Sequence, residues 1–308
     1  MKAFISILGV VGLAASASAQ LGNPNDLYVY GDTSDNVYQI EPNGNYVGVF
    51  SNTGAFNTLG FFGGNNNTFL AGGTGGLREI DGNTGAVIRT LGSGFTYDVQ
   101  FANNGNIYAT KSDGTIKEYD YATGNFIRNV VTGIGGHAAL NIRGNVMYTT
   151  DNKSGWSNGT RLSQRDANTG AINWTLDTAA FGIFSIQSIR FDSFGNLYVA
   201  NMYSGQNGIY KLDWNTMTFS LFADNNVPGG GPTGWPGCHG FNFGPDGHLY
   251  AAMAGGTVVK YNGQTGAFMG VLWSVNDKLS DVVFKPIPTP GALALLGMGG
   301  LLAARRRR

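Results

Sequence analysis

Four short runs decide the fold: Tyr97-Asp98-Val99-Gln100-Phe101, Ile107-Tyr108-Ala109-Thr110, Thr115-Ile116-Lys117-Glu118-Tyr119 and Phe126-Ile127-Arg128-Asn129-Val130. Between them stand Asn103-Asn104-Gly105-Asn106, Ser112-Asp113-Gly114 and Ala122-Thr123-Gly124-Asn125. Runs this short, bounded by Gly, Asn and Asp, spell β-strands joined by tight turns, because those turn residues accept positive φ. The stretch from Asp98 to Val131 is therefore one four-stranded antiparallel unit.

The rest of the chain repeats it. The second strand recurs as Leu27-Tyr28-Val29, Thr68-Phe69-Leu70, Ile107-Tyr108-Ala109, Val146-Met147-Tyr148, Leu197-Tyr198-Val199 and Leu249-Tyr250-Ala251. Taking Tyr28, Phe69, Tyr108, Met147, Tyr198 and Tyr250 as equivalent gives spacings of 41, 39, 39, 51 and 52 residues. The turn before the fourth strand recurs as well: Pro42-Asn43-Gly44, Asn83-Thr84-Gly85, Ala122-Thr123-Gly124, Asn168-Thr169-Gly170, Asn215-Thr216-Met217 and Gln264-Thr265-Gly266. Two independent marks in six copies predict an all-β fold, a six-bladed β-propeller of four-stranded blades. The first unit begins at its second strand, and the last is followed by a spare first strand, 281–284. Pairing that strand beside Leu27–Tyr30 would complete the N-terminal blade and close the ring, leaving no open edge between the terminal blades.

Three segments are expected: a signal peptide over 1–19, the propeller over 20–285 and a sorting tail over 286–308. Lys2, the apolar run from Ala3 to Ala14 and Ala17-Ser18-Ala19 have the order of a secretory signal. Setting aside Lys2 and Arg305 to Arg308 leaves 14 basic residues against 19 acidic. A body near −5 lacks the basic face that nucleic acid requires. The 49 glycines have no collagen period, and the 42% apolar content assigns them to turns rather than to disorder. The single cysteine, Cys238, cannot form an internal disulfide, so stability must come from the core. Cys238 is expected to be a packed, inert thiol.

Asn104-Gly105-Asn106-Ile107-Tyr108, Phe194-Gly195-Asn196-Leu197-Tyr198 and Asp246-Gly247-His248-Leu249-Tyr250 resemble the recurring turn and strand of NHL-repeat propellers. Asp166 to Trp174 is similar to a quinoprotein-type blade motif, but in one blade alone. The likeness implies that first strands line a central channel. It also implies that the loops from strand four to one and from strand two to three share the face that holds a site. The ring position on the first strands then reads Leu59, Asp98, His137, Ser188, Gly240 and Asp281. Asp98, His137 and Asp281 converging on a channel mouth could hold a divalent cation or a polar ligand. Ser188 and His239 join them as candidates. Gluconolactonase-type propellers use Glu, Asn and Asp for such an ion, and no Glu stands at these positions. No cofactor is expected, with a divalent cation as the one alternative.

The long insertions offer a different surface. Trp156 and Tyr203 lie in the two-to-three loops of blades four and five, and Trp235 in the crossing to blade six. Aromatic faces among amide side chains suit the stacking and hydrogen bonding of a sugar. His248 takes the turn slot held elsewhere by Asn106 and Asn196, so a structural role on the opposite face is expected. Asp32-Thr33-Ser34-Asp35-Asn36 is read as a solvated turn rather than a calcium loop.

The chain ends in Pro288-Thr289-Pro290, an apolar run from Gly291 to Ala304, and Arg305-Arg306-Arg307-Arg308. Fourteen helical residues span only about 21 Å, short of a bilayer core of roughly 30 Å. The order of proline motif, short span and arginine cluster resembles the bacterial PEP-CTERM sorting signal, with Thr289 where the family's Glu would stand. The resemblance implies an exosortase-type transpeptidase as partner, transient anchoring in the inner membrane and release to the cell surface or the extracellular matrix. The expectation from the whole chain is non-enzymatic binding of an extracellular polysaccharide or a surface protein. The competing expectation is a channel-centred, metal-dependent hydrolase or lyase.

Overall fold

The computed structural model describes residues 23, 25–54, 61–63, 67–152, 159–202, 207–227 and 237–285. Blade one holds β1 (Leu27–Gly31), β2 (Asn36–Ile40) and β3 (Tyr46–Asn52). Blade two holds β4 (Phe61–Gly63), β5 (Thr68–Ala71), β6 (Leu77–Asp81) and β7 (Val87–Leu91). Blade three is the sequence template: β8 (Thr96–Phe101), β9 (Ile107–Lys111), β10 (Thr115–Tyr119) and β11 (Phe126–Thr132). Blade four runs β12 (Leu140–Arg143), β13 (Val146–Asn152), β14 (Gly159–Asp166) and β15 (Ile172–Asp177). Blade five runs β16 (Ile186–Phe191), β17 (Leu197–Asn201), β18 (Gly208–Asp213) and β19 (Thr218–Asp224). Blade six runs β20 (Cys238–Phe243), β21 (Leu249–Met253), β22 (Thr257–Tyr261) and β23 (Phe268–Ser274). The last strand, β24 (Leu279–Phe284), joins blade one in the order β24-β1-β2-β3.

This is the six-bladed propeller, closed as the repeats require. Tyr28 pairs with Val283 and Leu27 with Phe284, so C-terminal chain supplies the inner strand of the N-terminal blade. The inner strands β4, β8, β12, β16, β20 and β24 each touch the next, and β24 touches β4.

The core is divided into six seams, each between neighbouring blades. Tyr28 faces Phe69 and Ile80 in the seam of blades one and two, while Leu27 and Val29 face Tyr250 and Val258 of blade six. Because neighbouring side chains on a strand point oppositely, each second strand feeds two seams and carries apolar residues on both faces.

The seams correct the alignment in two blades. Tyr108 packs toward blade four and Tyr198 toward blade six. The residues packing forward in the same way are Leu70, in the seam with blade three, and Tyr148, in the seam with blade five. Phe69 and Met147 pack backward. The equivalent series is therefore Tyr28, Leu70, Tyr108, Tyr148, Tyr198 and Tyr250. A shift of one residue exchanges the faces of a strand, and two apolar residues in tandem hide it.

Candidate functional site

Strand register places the ring residues. Gln100 pairs with Tyr108, Asn141 with Tyr148, Arg190 with Tyr198, Asn242 with Tyr250 and Val283 with Tyr28. Two residues earlier on the same strands stand Asp98, Ala139, Ser188, Gly240 and Asp281. The N–H groups of Asp98 and Ala139 donate to the hydroxyls of Thr110 and Thr150, at 2.8 and 2.9 Å, which confirms their equivalence. His137 therefore lies two residues off the ring position expected for it. Its ring packs on Tyr97 at 4.1 Å between centroids, and burial lowers its pKa. Leu59 lies outside the described residues.

Asp98 and Asp281 are buried on the inner strands β8 and β24, and both are engaged. Asp98 accepts hydrogen bonds from its neighbour Val99 N–H at 2.8 Å and from Leu140 N–H of the next blade at 2.9 Å. Asp281 accepts Val282 N–H at 2.9 Å and the Arg190 guanidinium at 2.6 Å. Arg190 and Asp281 are 6% and 1% exposed, so this ion pair is internal. Burial works against the Arg190 charge, but the fields of Asp281 and Asp98 outweigh it and raise its pKa. Burial also raises the Asp98 carboxyl, against the opposing effects of Arg190 and the two backbone donors. Gly240 makes room for this pair: a Cβ there would strike the Asp281 carboxylate and the Ser280 carbonyl.

Ser188 is buried, and its Oγ has no hydrogen-bond partner. Just before the ring level the first strands carry a β-bulge, with shifts between Ile186 and Ser188 and between Cys238 and Gly240. His239 is the extra residue of the second bulge, and burial followed by the nearby Lys278 charge pushes its pKa down to about 3. It is held neutral. The Cys238 thiol is buried, donates to Gly240 O at 3.2 Å and has its pKa raised by burial, which fits a packed thiol. Trp156, Tyr203 and Trp235 lie outside the described residues, as do Pro288, Thr289, Pro290 and Arg305 to Arg308.

The turn at Asp32 is not solvated as expected. Asp32 is buried and pairs with Lys278 at 2.9 Å. Next to it, Asp277 accepts Thr33 N–H at 3.1 Å and Tyr38 OH at 2.8 Å. This acidic corner ties blade one to the crossing from β23 to β24. Among the described residues no group of three or more His, Cys, Asp or Glu side chains is placed to hold a metal ion.

No family model and no curated protein matches this chain. Among solved structures, the computationally designed Ika8 protein is similar over 82% of this chain and 76% of its own, with 14% identity and a TM-score of 0.47.

Two concavities open on the face of the turns between first and second strands. One, of about 390 Å³, is the channel mouth, lined by Gln100, Asn141, Arg190, Asn242 and Arg143. The other, of about 670 Å³, runs between blades five and six beside Phe194, Asp246, His248 and Gln264. Sequence reasoning missed Arg190 and Phe194, yet both left a trace. Arg190 is a charge on an inner strand at a level otherwise held by three amides, Phe62 and Val283. Phe194 is an aromatic in a turn slot held by Asn104 and Asp246 in blades three and six.

Proposed function

We propose that this chain is an exported propeller that binds a glycan or a surface protein and performs no chemistry of its own. The observation carrying this reading is the engagement of the channel carboxylates. A hydrolase that holds a divalent ion needs carboxylate oxygens directed into open space. Here the Asp98 oxygens take two backbone N–H groups, and Asp281 is divided between Val282 N–H and Arg190. Asp98 ties the inner strand of blade three to that of blade four, and Asp281 ties that of blade one to that of blade five. The closed ring then serves as a rigid frame whose turns and loops carry recognition.

The two ends supply the address in this reading. A signal over 1–19 would deliver the body, 20–285, across the inner membrane. The tail, 286–308, would be held there through its apolar run, recognised by an exosortase-type transpeptidase and removed. The support is the order Pro288-Thr289-Pro290, apolar span, Arg305 to Arg308. NHL-type repeats are the finer reading of the blades, carried by the turn-and-strand motif.

The test is binding of the purified chain to an array of oligosaccharides, alongside metal analysis and a lactone-hydrolysis assay. Saccharide or protein binding without turnover is expected. A tightly held stoichiometric divalent ion together with lactone hydrolysis would overturn the binding reading. Intact mass of the protein recovered from its native cells tests the ends: a mature chain that retains Arg308 would rule out processing.

A further inference from the structure

The geometry points to the groove between blades five and six as a binding site for a neutral oligosaccharide, with Phe194 as its stacking platform. This inference rests on the binding role proposed above and assigns that role a place, on the face of the turns between first and second strands.

Phe194 is 85% exposed at the tip of its turn, and its ring meets no other aromatic ring among the described residues. Its position is unusual for a definite reason. In blades three and six the same slot holds Asn104 and Asp246, whose side-chain oxygens accept the N–H two residues on, at 3.0 and 3.1 Å. In blade five that duty has moved to Asp192, which accepts both Phe194 N–H and Asn196 N–H at 2.9 Å. The turn is complete without residue 194, so nothing in the fold calls for a phenyl ring there. Together with Phe191 and Phe243 in the same lining, it gives the concavity an aromatic side of the kind ligand clefts present.

The opposite wall is polar. Asn262 spends its Oδ1 on the N–H groups of Gln264 and Thr265, at 2.9 and 3.0 Å, which leaves its amide N–H₂ for a ligand. His248 lines the same wall, and its Nδ1 is buried with no hydrogen-bond partner among the described residues. The structural role expected for His248 therefore leaves one of its ring nitrogens unexplained.

Charge selects the ligand class. Asp192 and Asp246 line the groove, and one nearby cation, Lys260, is paired with Asp246 at 2.8 Å. Two carboxylates and, among the described residues, no lysine or arginine in the lining itself disfavour phosphate, sulfate and uronate ligands, and Arg143, beside the same turn, lies over the Phe191 ring at 5.2 Å. An aromatic face opposite amide and imidazole groups suits a neutral sugar, which presents C–H bonds on one face and hydroxyls at its rim. A volume of about 670 Å³ lies within the range of small-ligand clefts.

The experiment uses the full chain, with β-linked hexasaccharides of glucose, mannose and xylose as neutral probes and a hexauronate as the acidic one. Calorimetry measures affinity, and hydrogen exchange with and without probe locates the contact. A neutral probe is expected to bind, to protect residues 192–196, 244–248 and 262–264, and to bind roughly three- to tenfold more weakly to Phe194→Ala. Gln264→Ala, at an equally exposed turn, is a second variant that leaves the core untouched. Unchanged affinity in both variants, with protection elsewhere, would overturn the groove and leave the binding role standing. Tighter binding of the hexauronate would overturn the neutral class, as would capture of a protein ligand through Phe194. Failure of every saccharide would overturn the groove, and failure of protein ligands as well would overturn the binding role.

Discussion

Replacing Arg190 by Met keeps most of its volume and removes the charge that faces Asp281 and Asp98. Breaking a buried pair leaves a carboxylate without compensation, so a loss of about 3–5 kcal/mol is expected. Adding Asp281→Asn to Arg190→Met should recover part of that loss in chemical denaturation, because the two residues are coupled. Simple additivity of the two changes would show that the channel pair has no net structural value. His239 makes a prediction about pH. Its pKa falls from an ordinary 6.5 to about 3 in the fold. Above 6.5 the imidazole is neutral in both states and contributes nothing. As pH drops through 6.5 the unfolded chain takes up a proton that the folded chain refuses. Stability therefore drains until the folded state protonates near pH 3, by about 5 kcal/mol at full extent. Urea midpoints measured across this window should fall more steeply for the wild type than for His239→Gln, and parallel slopes would contradict the assignment.

The elements explain why the turn glycines recur. In the turn that begins at Asp81, the Asp81 carboxylate accepts Asn83 N–H at 2.9 Å and Thr84 N–H at 2.8 Å, and Gly85 closes at φ 74°. Asp120, Asp166, Asp213 and Asn262 repeat the arrangement. The closing glycine also lies against the outer strand of the preceding blade: a Cβ on Gly266 would run into Phe222 O, and one on Gly85 into Phe50 O. Gly266→Ala therefore combines a left-handed residue with a backbone clash, and a loss of about 2–3 kcal/mol is expected. Blade five has Met217 in this slot at φ 55°. Met217→Gly should raise the thermal midpoint, with a gain of about 0.5–1 kcal/mol, and a drop would mean that the Met side chain packs too well to spare. The outer strands need protection of another kind, since they expose Val87, Ile88, Phe126, Ile127 and Phe268 on free edges. In all six blades the pairing of third and fourth strands is interrupted by a register shift. Such irregularities bend an edge away from its neighbours and discourage edge-to-edge pairing.

At the scale of the molecule, stability depends on closure. The seam between blades six and one contains Leu279 and Val282 from the C-terminal strand, packed with Leu27, Val29 and Tyr250. A chain covering residues 20–285 should unfold in one cooperative thermal transition. One ending at residue 278 removes β24, strips blade one of its inner strand and exposes two seams, so loss of that transition and aggregation are expected. Equal midpoints for the two chains would deny closure its role. Differential scanning calorimetry makes the comparison.

Six units, their turns and the split blade could be read from the residues, because short-range patterns encode them: alternating apolar runs, Gly and Asn at positive φ, and a spare strand after the sixth copy. Asp98 and Asp281 were also legible as residues at one level of the inner strands. The registers of blades two and four were not, since Phe69-Leu70 and Met147-Tyr148 offer two apolar residues in tandem and only the seams decide which way each one faces. In blade four a different slip, of two residues, moved His137 off the ring, because the first strand closes on Ile142 rather than on Leu140. The partnership of Arg190 with Asp281 spans 91 positions and two blades, a separation that no local pattern records. The sequence by itself thus determined the scaffold, whose strands and turns are local events. The tertiary structure alone decided that the channel acids are neutralised from within and that Phe194 stands free at a groove, because both depend on which blades meet when the ring closes.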